Sequence, residues 1–433
     1  MPNTPSPSPS LPPLSRRKFA QTGGLTAGAA ALGFPSIVSA QGNKSPLKLG
    51  LIGGGGRGRG AADQALTADK DVSLTMVAEV SESQATDAIT ELRKRHPEQV
   101  GRPEVHLGLD AYKKVIEASD VVILTTPPGF RPMMLRAAIE AGKHVFCEKP
   151  VAVDAPGIRS VLESAKMAAE KKLTLITGFC WRYKNSRRAL FDRVHGGAIG
   201  DVTGMFATYY TGPVKPMPPA DRRPAGLGDV AWQVSNWYNF SWLGGDSLVE
   251  QAVHSVDKIG WAMKDIEPVS VIASGGRQLP SEGGNIFDHF HVVYEYPNNV
   301  RCHLGSRQIP GCYGENHDYI NGTKGTAFIV RGQCVIRGEK NWKAGDDLNN
   351  DMYQAEHDTL FKSIREGKAR NDGEWMARSS MLAIMGRMAA YTGQKITWQQ
   401  AMNSELDLAP DNLKWDSEFD PGGHPIPGKT KFS

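Results

Sequence analysis

A glycine-rich loop directly after a short apolar strand is the feature that most constrains the fold of this chain. Residues 48–53 form an apolar run ending in glycine, which predicts a buried parallel strand, and residues 59–68 predict a helix. Between them, Gly53 permits a tight turn, Gly55 lets a ligand approach the backbone, and Gly58 lets the helix pack closely on the strand. Free N–H groups at the start of such a helix favour phosphate. The loop therefore predicts a dinucleotide site; a purely structural loop is the alternative.

Strands and helices alternate along the chain as far as about residue 178. Apolar runs predict further strands, and helical patterns lie between them (strands 72–80, 121–125, 144–147 and 173–177; helices 82–96, 132–141 and 155–171). This alternation is typical of a parallel sheet with right-handed crossovers. We predict an α/β fold whose N-terminal Rossmann domain spans residues 46–178.

The character of the sequence changes after residue 180. Short alternating segments separated by tight-turn signals predict one large open sheet, mostly antiparallel, interrupted by a helix at 247–263. Many Pro and Gly residues at 213–230 predict a long loop near the site. We assign residues 179–433, with an irregular C-terminal tail, to a second α/β domain for substrate binding and oligomerisation.

The end of the second strand carries Glu79, 21 residues after Gly58. An acidic residue about 20 residues on bonds the ribose 2′-OH and repels a 2′-phosphate, which favours NAD over NADP. Arg57 and Arg59 soften that preference, and a solvated strand end is the alternative for Glu79. The predicted cofactor contacts are Gly53, Gly55, Gly56, Arg57, Gly58, Glu79, Thr126, Pro127, Glu148 and Lys149.

Two further segments carry chemistry. Glu148-Lys149-Pro150 follows a strand at the carboxyl edge of the sheet, where a cation can bond a substrate hydroxyl and stabilise a developing alkoxide. The helix from residue 247 places Glu250, His254 and Asp257 at spacings of four and three, on one helical face. A histidine flanked by carboxylates has a raised proton affinity suited to general acid–base work. A surface turn and a structural histidine are the alternatives.

Together these motifs resemble the Gfo/Idh/MocA oxidoreductase family. The resemblance rests on the glycine loop, the Glu-Lys-Pro turn and the pattern from Gly244-Gly245 through His254 to Asp257, and it extends from about residue 47 to 397. It implies nicotinamide chemistry on sugars or polyols, with Lys149 as the motif lysine and His254 as the catalytic histidine. Glu250 stands where the family usually has aspartate, and we count it as a third catalytic residue.

The predicted substrate contacts lie in three places. Residues 178–183 resemble the segment that lines the substrate pocket in relatives, and a strand-to-helix connector is the alternative. Aromatic side chains ahead of the catalytic helix suit stacking on sugar rings, with core packing as the alternative. We assign substrate binding to Arg182, Tyr183, Trp237 and Asp257.

Composition excludes several other classes of function. The net charge is only +4, and no basic stripe with interleaved aromatics is present, so nucleic acid is not an expected partner. Five widely spaced cysteines without a CxxC pair, and histidines without ligand spacing, predict neither a disulfide framework nor a metal site. We expect a homo-oligomer, a dimer or tetramer, through the C-terminal sheet.

The N-terminus, residues 1–40, carries the pattern of a twin-arginine signal peptide. A Pro/Ser-rich leader precedes Arg16-Arg17, and a weakly apolar run ends at Val38-Ser39-Ala40. The run is too short and too rich in Gly and Ala to suit a stable membrane anchor, the alternative. Export of a folded protein to the periplasm agrees with an enzyme that carries its cofactor, so we expect NAD, or NADP, to be tightly bound.

Three functions follow from these observations. The first is an NAD(P)-dependent oxidoreductase that transfers hydride between a sugar or polyol carbinol and a bound nicotinamide. The second is a glycoside hydrolase or lyase that oxidises the sugar transiently. The third is a non-enzymatic sugar- or nucleotide-binding protein. Lys149 favours the first function over the second, because hydrolase relatives often lack that lysine. The Lys149 and His254 pair argues against the third, because a binding module needs no acid–base groups.

Overall fold

The computed structural model describes residues 45–279, 283–411 and 413–433, and the predicted twin-arginine leader lies outside these ranges. A parallel sheet of six strands in the order β3-β2-β1-β4-β5-β6 comes first (β1 Leu47–Ile52, β2 Val72–Glu79, β3 Glu104–Leu107, β4 Val121–Leu124, β5 His144–Cys147, β6 Leu175–Thr177). Five helices connect these strands (α1 Gly56–Ala68, α2 Glu82–Arg95, α3 Ala111–Ala118, α4 Arg131–Glu140, α5 Ala155–Glu170). The order is that of a Rossmann fold, which confirms the predicted fold class.

The central strands of this sheet are buried on both faces. All four residues of β4 are buried, and in β5 only His144 keeps some exposure. Continuous apolar runs of this kind are required where helices cover both sides of a parallel sheet. The carboxyl ends of β1, β4 and β5 therefore form a fixed edge, from which the glycine loop and Glu148-Lys149-Pro150 project.

The second sheet has nine strands in the order β14-β13-β12-β11-β7-β10-β9-β8-β15. Its strands are bounded as follows: β7 Val202–Thr211, β8 Ser270–Gly276, β9 His289–Glu295, β10 Arg301–Gln308, β11 Asp318–Gly322, β12 Gly325–Val330, β13 Gln333–Gly338, β14 Trp342–Lys343 and β15 Ile396–Thr397. Strands β7 and β10 pair in parallel and the other pairs are antiparallel. This confirms the large, mostly antiparallel sheet.

The second part of the chain also carries helices, several of which pack on that sheet. They are α6 Asn185–His195, α7 Asp229–Ser235, α8 Ser241–Gly244, α9 Val253–Ala262, α10 Met352–Arg365, α11 Gly373–Thr392 and α12 Trp398–Asn403. Period-two alternation along β7 buries Met205 and Ala207 beneath the helices and leaves Phe206 42% exposed on the other face. Within the described ranges, no helix is both long and apolar enough to cross a membrane.

Helix α10 does not pack with the second sheet. Its Leu360, Phe361 and Ile364 belong to a buried cluster formed by residues of the first sheet and its helices. Next to it, Asn371 forms a bridge to Leu175 at the end of the first sheet. The assignment of residues 179–433 to a separate second domain is therefore amended, since the chain returns to the Rossmann domain after the second sheet.

Candidate active site

The glycine loop has the geometry of a phosphate cradle. Gly53 has a φ of +95°, which only glycine adopts freely, and a Cβ at Gly58 would lie 1.9 Å from the Gly53 carbonyl oxygen. A Cβ at Gly56, by contrast, would meet no protein atom within 4 Å. Helix α1 starts at Gly56 without a side-chain cap. The loop therefore leaves space and helix N–H groups for a phosphate of the cofactor.

A cavity of about 310 Å³ lies beside this loop. Five of the predicted cofactor residues line it (Gly53, Gly55, Glu79, Thr126 and Pro127). The opposite wall comes from the second part of the chain and includes Lys215, Trp237 and Trp415. The other predicted contacts lie outside this lining (Gly56, Arg57, Gly58, Glu148 and Lys149). The cavity thus brings five of the predicted cofactor contacts together beside the glycine loop.

Glu79 occupies the position expected for a ribose ligand. It lines the cavity, and its Oε2 accepts a hydrogen bond from the Val80 N–H at 2.8 Å. Burial raises the pKa of Glu79, and the backbone N–H groups of Val80 and Gly54 oppose that rise. The arginines expected to soften its selectivity are engaged elsewhere: Arg59 bonds Glu91, and Arg57 bonds Glu148.

Arg57 points its guanidinium away from the nucleotide cavity. Its Nε donates to Glu148, and its NH1 donates to Gln64 at 3.0 Å. The charge of Arg57 helps keep the pKa of the buried Glu148 carboxyl below its usual value, against desolvation. The side chains of Arg57 and Glu148, both predicted as cofactor contacts, are thus paired with each other.

Lys149 is held by Glu250. Its Nζ donates to Glu250 Oε1 at 3.0 Å and also to the Glu250 carbonyl oxygen, and only 11% of the Lys149 side chain and 8% of the Glu250 side chain are exposed. A buried ammonium needs such a counter-charge. The structure thus brings together two of the three predicted catalytic residues, with Glu250 acting on Lys149.

The predicted continuous α-helix at 247–263 starts differently in the structure. Residues Leu248–Ala252 form a π-helical turn, followed by α9. Neither predicted flanking carboxylate bonds His254: Glu250 bonds Lys149, and Asp257 accepts from Arg182 and from Ser379. The expectation of one shared helical face with His254 between two carboxylates is therefore wrong, because both carboxylates neutralise cations from other elements.

His254 is a neutral imidazole beside cations. Desolvation, followed by the charges of Lys149, Lys258 and Arg187, lowers the pKa of His254 well below 6.5. The raised proton affinity predicted from the sequence is wrong for this reason. The ring stacks on Trp181 with a centroid distance of 5.0 Å, and its Nδ1 is buried without a hydrogen-bond partner among the residues described. A neutral, unpaired imidazole nitrogen is ready to accept a proton.

Three residues predicted to contact the substrate form hydrogen bonds with other residues of the protein. Arg182 bonds Asp257 at 2.9 Å and Asp265 at 2.8 Å, and its guanidinium stacks over Trp375. The Tyr183 hydroxyl donates to Asp372 in the interior. The polar groups of Arg182, Tyr183 and Asp257, predicted as substrate contacts, are thus paired within the protein.

Two tryptophans, Trp237 and Trp181, lie next to different parts of the site. Trp237, predicted to stack on a sugar, lines the nucleotide cavity. Trp181 stacks on His254, although it is not among the predicted substrate contacts. The signal was present in the same segment, one residue before Arg182. Among residues 45–279, 283–411 and 413–433, no group of three or more His, Cys, Asp or Glu side chains converges as a metal site.

A Rossmann cradle beside a paired lysine and a neutral histidine defines a nicotinamide-dependent oxidoreductase. Two family models match the chain in tandem, and together they cover more than half of it. "Oxidoreductase family, NAD-binding Rossmann fold" matches residues 47–179, and "GFO/IDH/MocA C-terminal domain" matches residues 188–328. The chain belongs to the Gfo/Idh/MocA oxidoreductase family.

Named relatives give the range of the similarity. An inositol 2-dehydrogenase of Acidothermus cellulolyticus is 25% identical over 351 residues, which cover 78% of this chain and 90% of that protein. A dTDP-3,4-didehydro-2,6-dideoxy-α-D-glucose 3-reductase of Actinomadura kijaniata is 26% identical over 233 residues, covering 53% of this chain and 60% of that protein. A levoglucosan dehydrogenase solved with NADH and levoglucosan superposes with a TM-score of 0.65 at 17% identity, covering 81% of this chain and 99% of that one. This last similarity shows the shared fold.

Proposed function

We propose that this protein oxidises a carbinol of a sugar or polyol. The observation that carries the proposal is the buried Lys149–Glu250 pair beside the unpaired imidazole of His254. The named substrates of the relatives, inositol and a deoxysugar, support a polyhydroxylated substrate. When bound, the nicotinamide supplies the hydride acceptor or donor.

The side chains divide the remaining work. Lys149 bonds the reacting hydroxyl and stabilises its oxygen as negative charge develops. His254 takes the hydroxyl proton on its imidazole ring, which is neutral in the folded protein. Glu250 holds the Lys149 ammonium in place, and Trp181 holds the imidazole ring by stacking. None of these residues lines the cavity near Glu79, which supports placing the reacting carbon away from the ribose that Glu79 would bind.

Purification and a substrate screen test this activity. Protein expressed in the cytoplasm is denatured, and the released nucleotide is identified by mass spectrometry. Sugars and polyols are then offered to the intact protein, with an artificial electron acceptor to reoxidise bound cofactor. Reduction of the cofactor by at least one polyhydroxylated substrate is expected. Cleavage of a glycoside without net reduction would instead favour the hydrolase or lyase function.

We infer that the nicotinamide nucleotide is retained through purification. The wall formed by Lys215, Trp237 and Trp415 faces the glycine loop across the cavity, which supports slow release. The Ala231 N–H donates to the Trp415 carbonyl oxygen at 3.1 Å, so the C-terminal segment is fastened to α7. Trp415→Ala is expected to speed nucleotide release at least 10-fold in a dilution chase. A full loss of nucleotide from the wild-type protein on gel filtration would contradict retention.

We propose that copies of the chain associate through the open face of the second sheet. The strand register aligns Tyr319, Phe206, His303, Val293 and Ile272 in one row across five strands. Three of these are exposed apolar side chains, with exposures of 36% for Tyr319, 42% for Phe206 and 41% for Ile272. Light scattering of the wild type and of Phe206→Glu tests the proposal, since the variant should become monomeric.

We also propose export to the periplasm by the twin-arginine route. The support is the Arg16-Arg17 pair ahead of the apolar run that ends at Ala40. Changing both arginines to lysine should retain the protein in the cytoplasm, and the mature exported protein should begin near Gln41. Cell fractionation and N-terminal mass spectrometry measure both outcomes.

A further inference from the structure

A second cavity, of about 510 Å³, lies where β7 ends and β11 begins. Its walls include Trp181, Arg187, Tyr210, Lys258, Glu315 and Arg331. It shares no lining residue with the nucleotide cavity. The Glu79 side of the cofactor therefore does not account for it.

Arg187 is the residue that characterises this cavity. Its Nε is buried without a hydrogen-bond acceptor, and no carboxylate lies within ion-pair distance of it in the described part of the chain. Arg57 and Arg182 each pair with a carboxylate, and the buried Arg131 and Arg387 donate to backbone carbonyl oxygens away from this cavity. Arg187 is partly buried and its guanidinium packs on Trp181, and a cation beside a cavity whose Nε lacks an acceptor suits an anion supplied from outside the chain.

The neighbouring charges favour the same class of ligand. Arg331 is exposed at the turn after β12, and Lys258 pairs with the buried Asp318. The carboxylate on the wall is already engaged, since Glu315 accepts from Thr208 at 2.9 Å, from Tyr313 at 3.2 Å and from His317 at 3.2 Å. Within the described structure, neither Arg187 nor Arg331 has a carboxylate within ion-pair distance, and Asp318, which acts on Arg187 at longer range, is itself paired with Lys258.

The cavity adjoins the proposed proton acceptor. Trp181 lines the cavity and stacks on His254, and the Arg187 guanidinium lies 4.3 Å from the centre of the same indole ring. Lys258 follows His254 by one turn of α9 and also lines the cavity. A ligand anchored at Arg187 therefore lies one aromatic ring away from the imidazole.

We propose that this cavity binds the carboxylate of a sugar acid, so that the substrate is a uronic or aldonic acid and not a neutral sugar. The inference rests on the proposed dehydrogenase function and names its substrate class. A guanidinium bonds a carboxylate through two parallel N–H groups, which gives orientation as well as affinity. The anchored acid end leaves the carbinols of the same molecule to reach Lys149 and His254.

Matched sugar pairs test the proposal: glucuronate against glucose, galacturonate against galactose, and gluconate, with glucose 6-phosphate as the second anion. Binding is measured by calorimetry and oxidation by cofactor reduction, for the wild type, Arg187→Gln, Arg187→Lys and Arg331→Gln. Arg188→Gln is the matched control, because Arg188 is the next residue on α6 and is exposed. The wild type should prefer an acid at least 10-fold, Arg187→Gln should lose most of that preference, and Arg187→Lys should keep part of it.

The outcomes separate this inference from the proposed function. Binding of the acid that depends on Arg187, without oxidation of any sugar, supports the carboxylate site and refutes the dehydrogenase function. Oxidation of neutral sugars with no preference for their acids overturns the carboxylate site and leaves the function standing. A preference for glucose 6-phosphate that Arg187→Gln abolishes overturns the carboxylate in favour of a phosphate. An equal loss of preference in Arg188→Gln would also contradict the assignment to Arg187.

Discussion

The ammonium of Lys149 lies 3.0 Å from Glu250 Oε1, and this contact joins the edge of the Rossmann sheet to the π-helical turn ahead of α9. The Glu250 carbonyl oxygen accepts from the same ammonium, and Gln251 donates to the other carboxylate oxygen. Glu250 therefore holds the Lys149 ammonium in a fixed position, as a supporting residue orients a metal ligand or a catalytic base in other enzymes.

Replacing Glu250 should disturb Lys149 more than it disturbs the fold of the sheet. Glu250→Gln leaves a buried cation without its counter-charge, which costs about 3–5 kcal/mol when one partner of a buried pair is removed. We expect turnover to fall at least 10-fold, with partial recovery in Glu250→Asp, since the family usually carries aspartate there. Steady-state kinetics and thermal melts measure both effects, with the exposed Glu267→Gln as control. Full activity in a well-folded Glu250→Gln would contradict the positioning role.

His254→Ala should lose turnover and keep its nucleotide. Removing a general base typically costs about 100-fold or more in rate, whereas the phosphate cradle at Gly53–Gly58 is untouched. Single-turnover reduction of bound cofactor, nucleotide occupancy and melting temperature are measured on the same sample. His291→Ala, an exposed histidine on β9, is the control. Normal cofactor reduction in a folded His254→Ala would refute its role as proton acceptor.

The pKa of His254 gives a pH dependence with a defined sign. Because burial and nearby cations lower that pKa below 6.5 in the folded protein, the imidazole stays neutral and active as the pH falls through 6.5. The unfolded chain takes up the proton first, so this histidine's contribution to stability is complete above pH 6.5 and is lost as the pH falls below it, at up to about 1.4 kcal/mol per pH unit. The acid limb of kcat should lie below 6.5, and His254→Ala should lose less stability than the wild type between pH 6.5 and 5. An acid limb above 6.5 would contradict this.

Glu79→Ala should change cofactor selectivity. Loss of a hydrogen bond to a charged group costs about 1.5–3 kcal/mol, roughly 10- to 100-fold in NAD affinity, while the repulsion of a 2′-phosphate disappears as well. The ratio of NAD to NADP affinity should therefore fall in calorimetric titrations of protein freed of nucleotide. Asp87→Ala, exposed on α2, is the control. An unchanged ratio would refute the assignment of Glu79 to the ribose.

The sequence predicted those structural features that depend on residues close together in the chain. The glycine loop, the buried runs at β4 and β5 and the Glu-Lys-Pro turn depend on neighbours in the chain, and the structure places them as expected. Strand β3, Glu104–Leu107, was missed because this edge strand is mostly exposed and carries no apolar run.

The sequence did not predict the ion pairs of the site, because the paired residues lie far apart in the chain. The partners of Arg182 on Asp257 and Asp265 lie 75 and 83 residues away, so nothing near Arg182 indicated that its charge is used internally. The partner of Glu250, Lys149, likewise lies 101 residues earlier in the chain. Helical spacing alone could not show which cation each carboxylate would meet.

Gly178 lies against the buried Glu148 carboxylate, which precedes Lys149 in the chain, so a substitution at Gly178 tests the role of Glu148. A Cβ at Gly178 would lie 2.5 Å from the Glu148 carboxylate, which is held on its other side by Arg57 and by the Lys149 N–H. Gly178→Ala should therefore push Glu148 out of its ion pair and shift the adjacent lysine. Overpacking of this kind costs about 1–3 kcal/mol, and we expect turnover to fall with it.

A double-mutant cycle separates this effect from a general loss of packing. In a Glu148→Ala background the clash no longer exists, so adding Gly178→Ala should cost little further stability or activity, and the two changes should be strongly non-additive. Gly101→Ala is the matched control, because a Cβ there would meet no atom within 4 Å. Urea unfolding and cofactor reduction rates measure each variant. Additive losses in the double mutant would show that Gly178 does not act through Glu148.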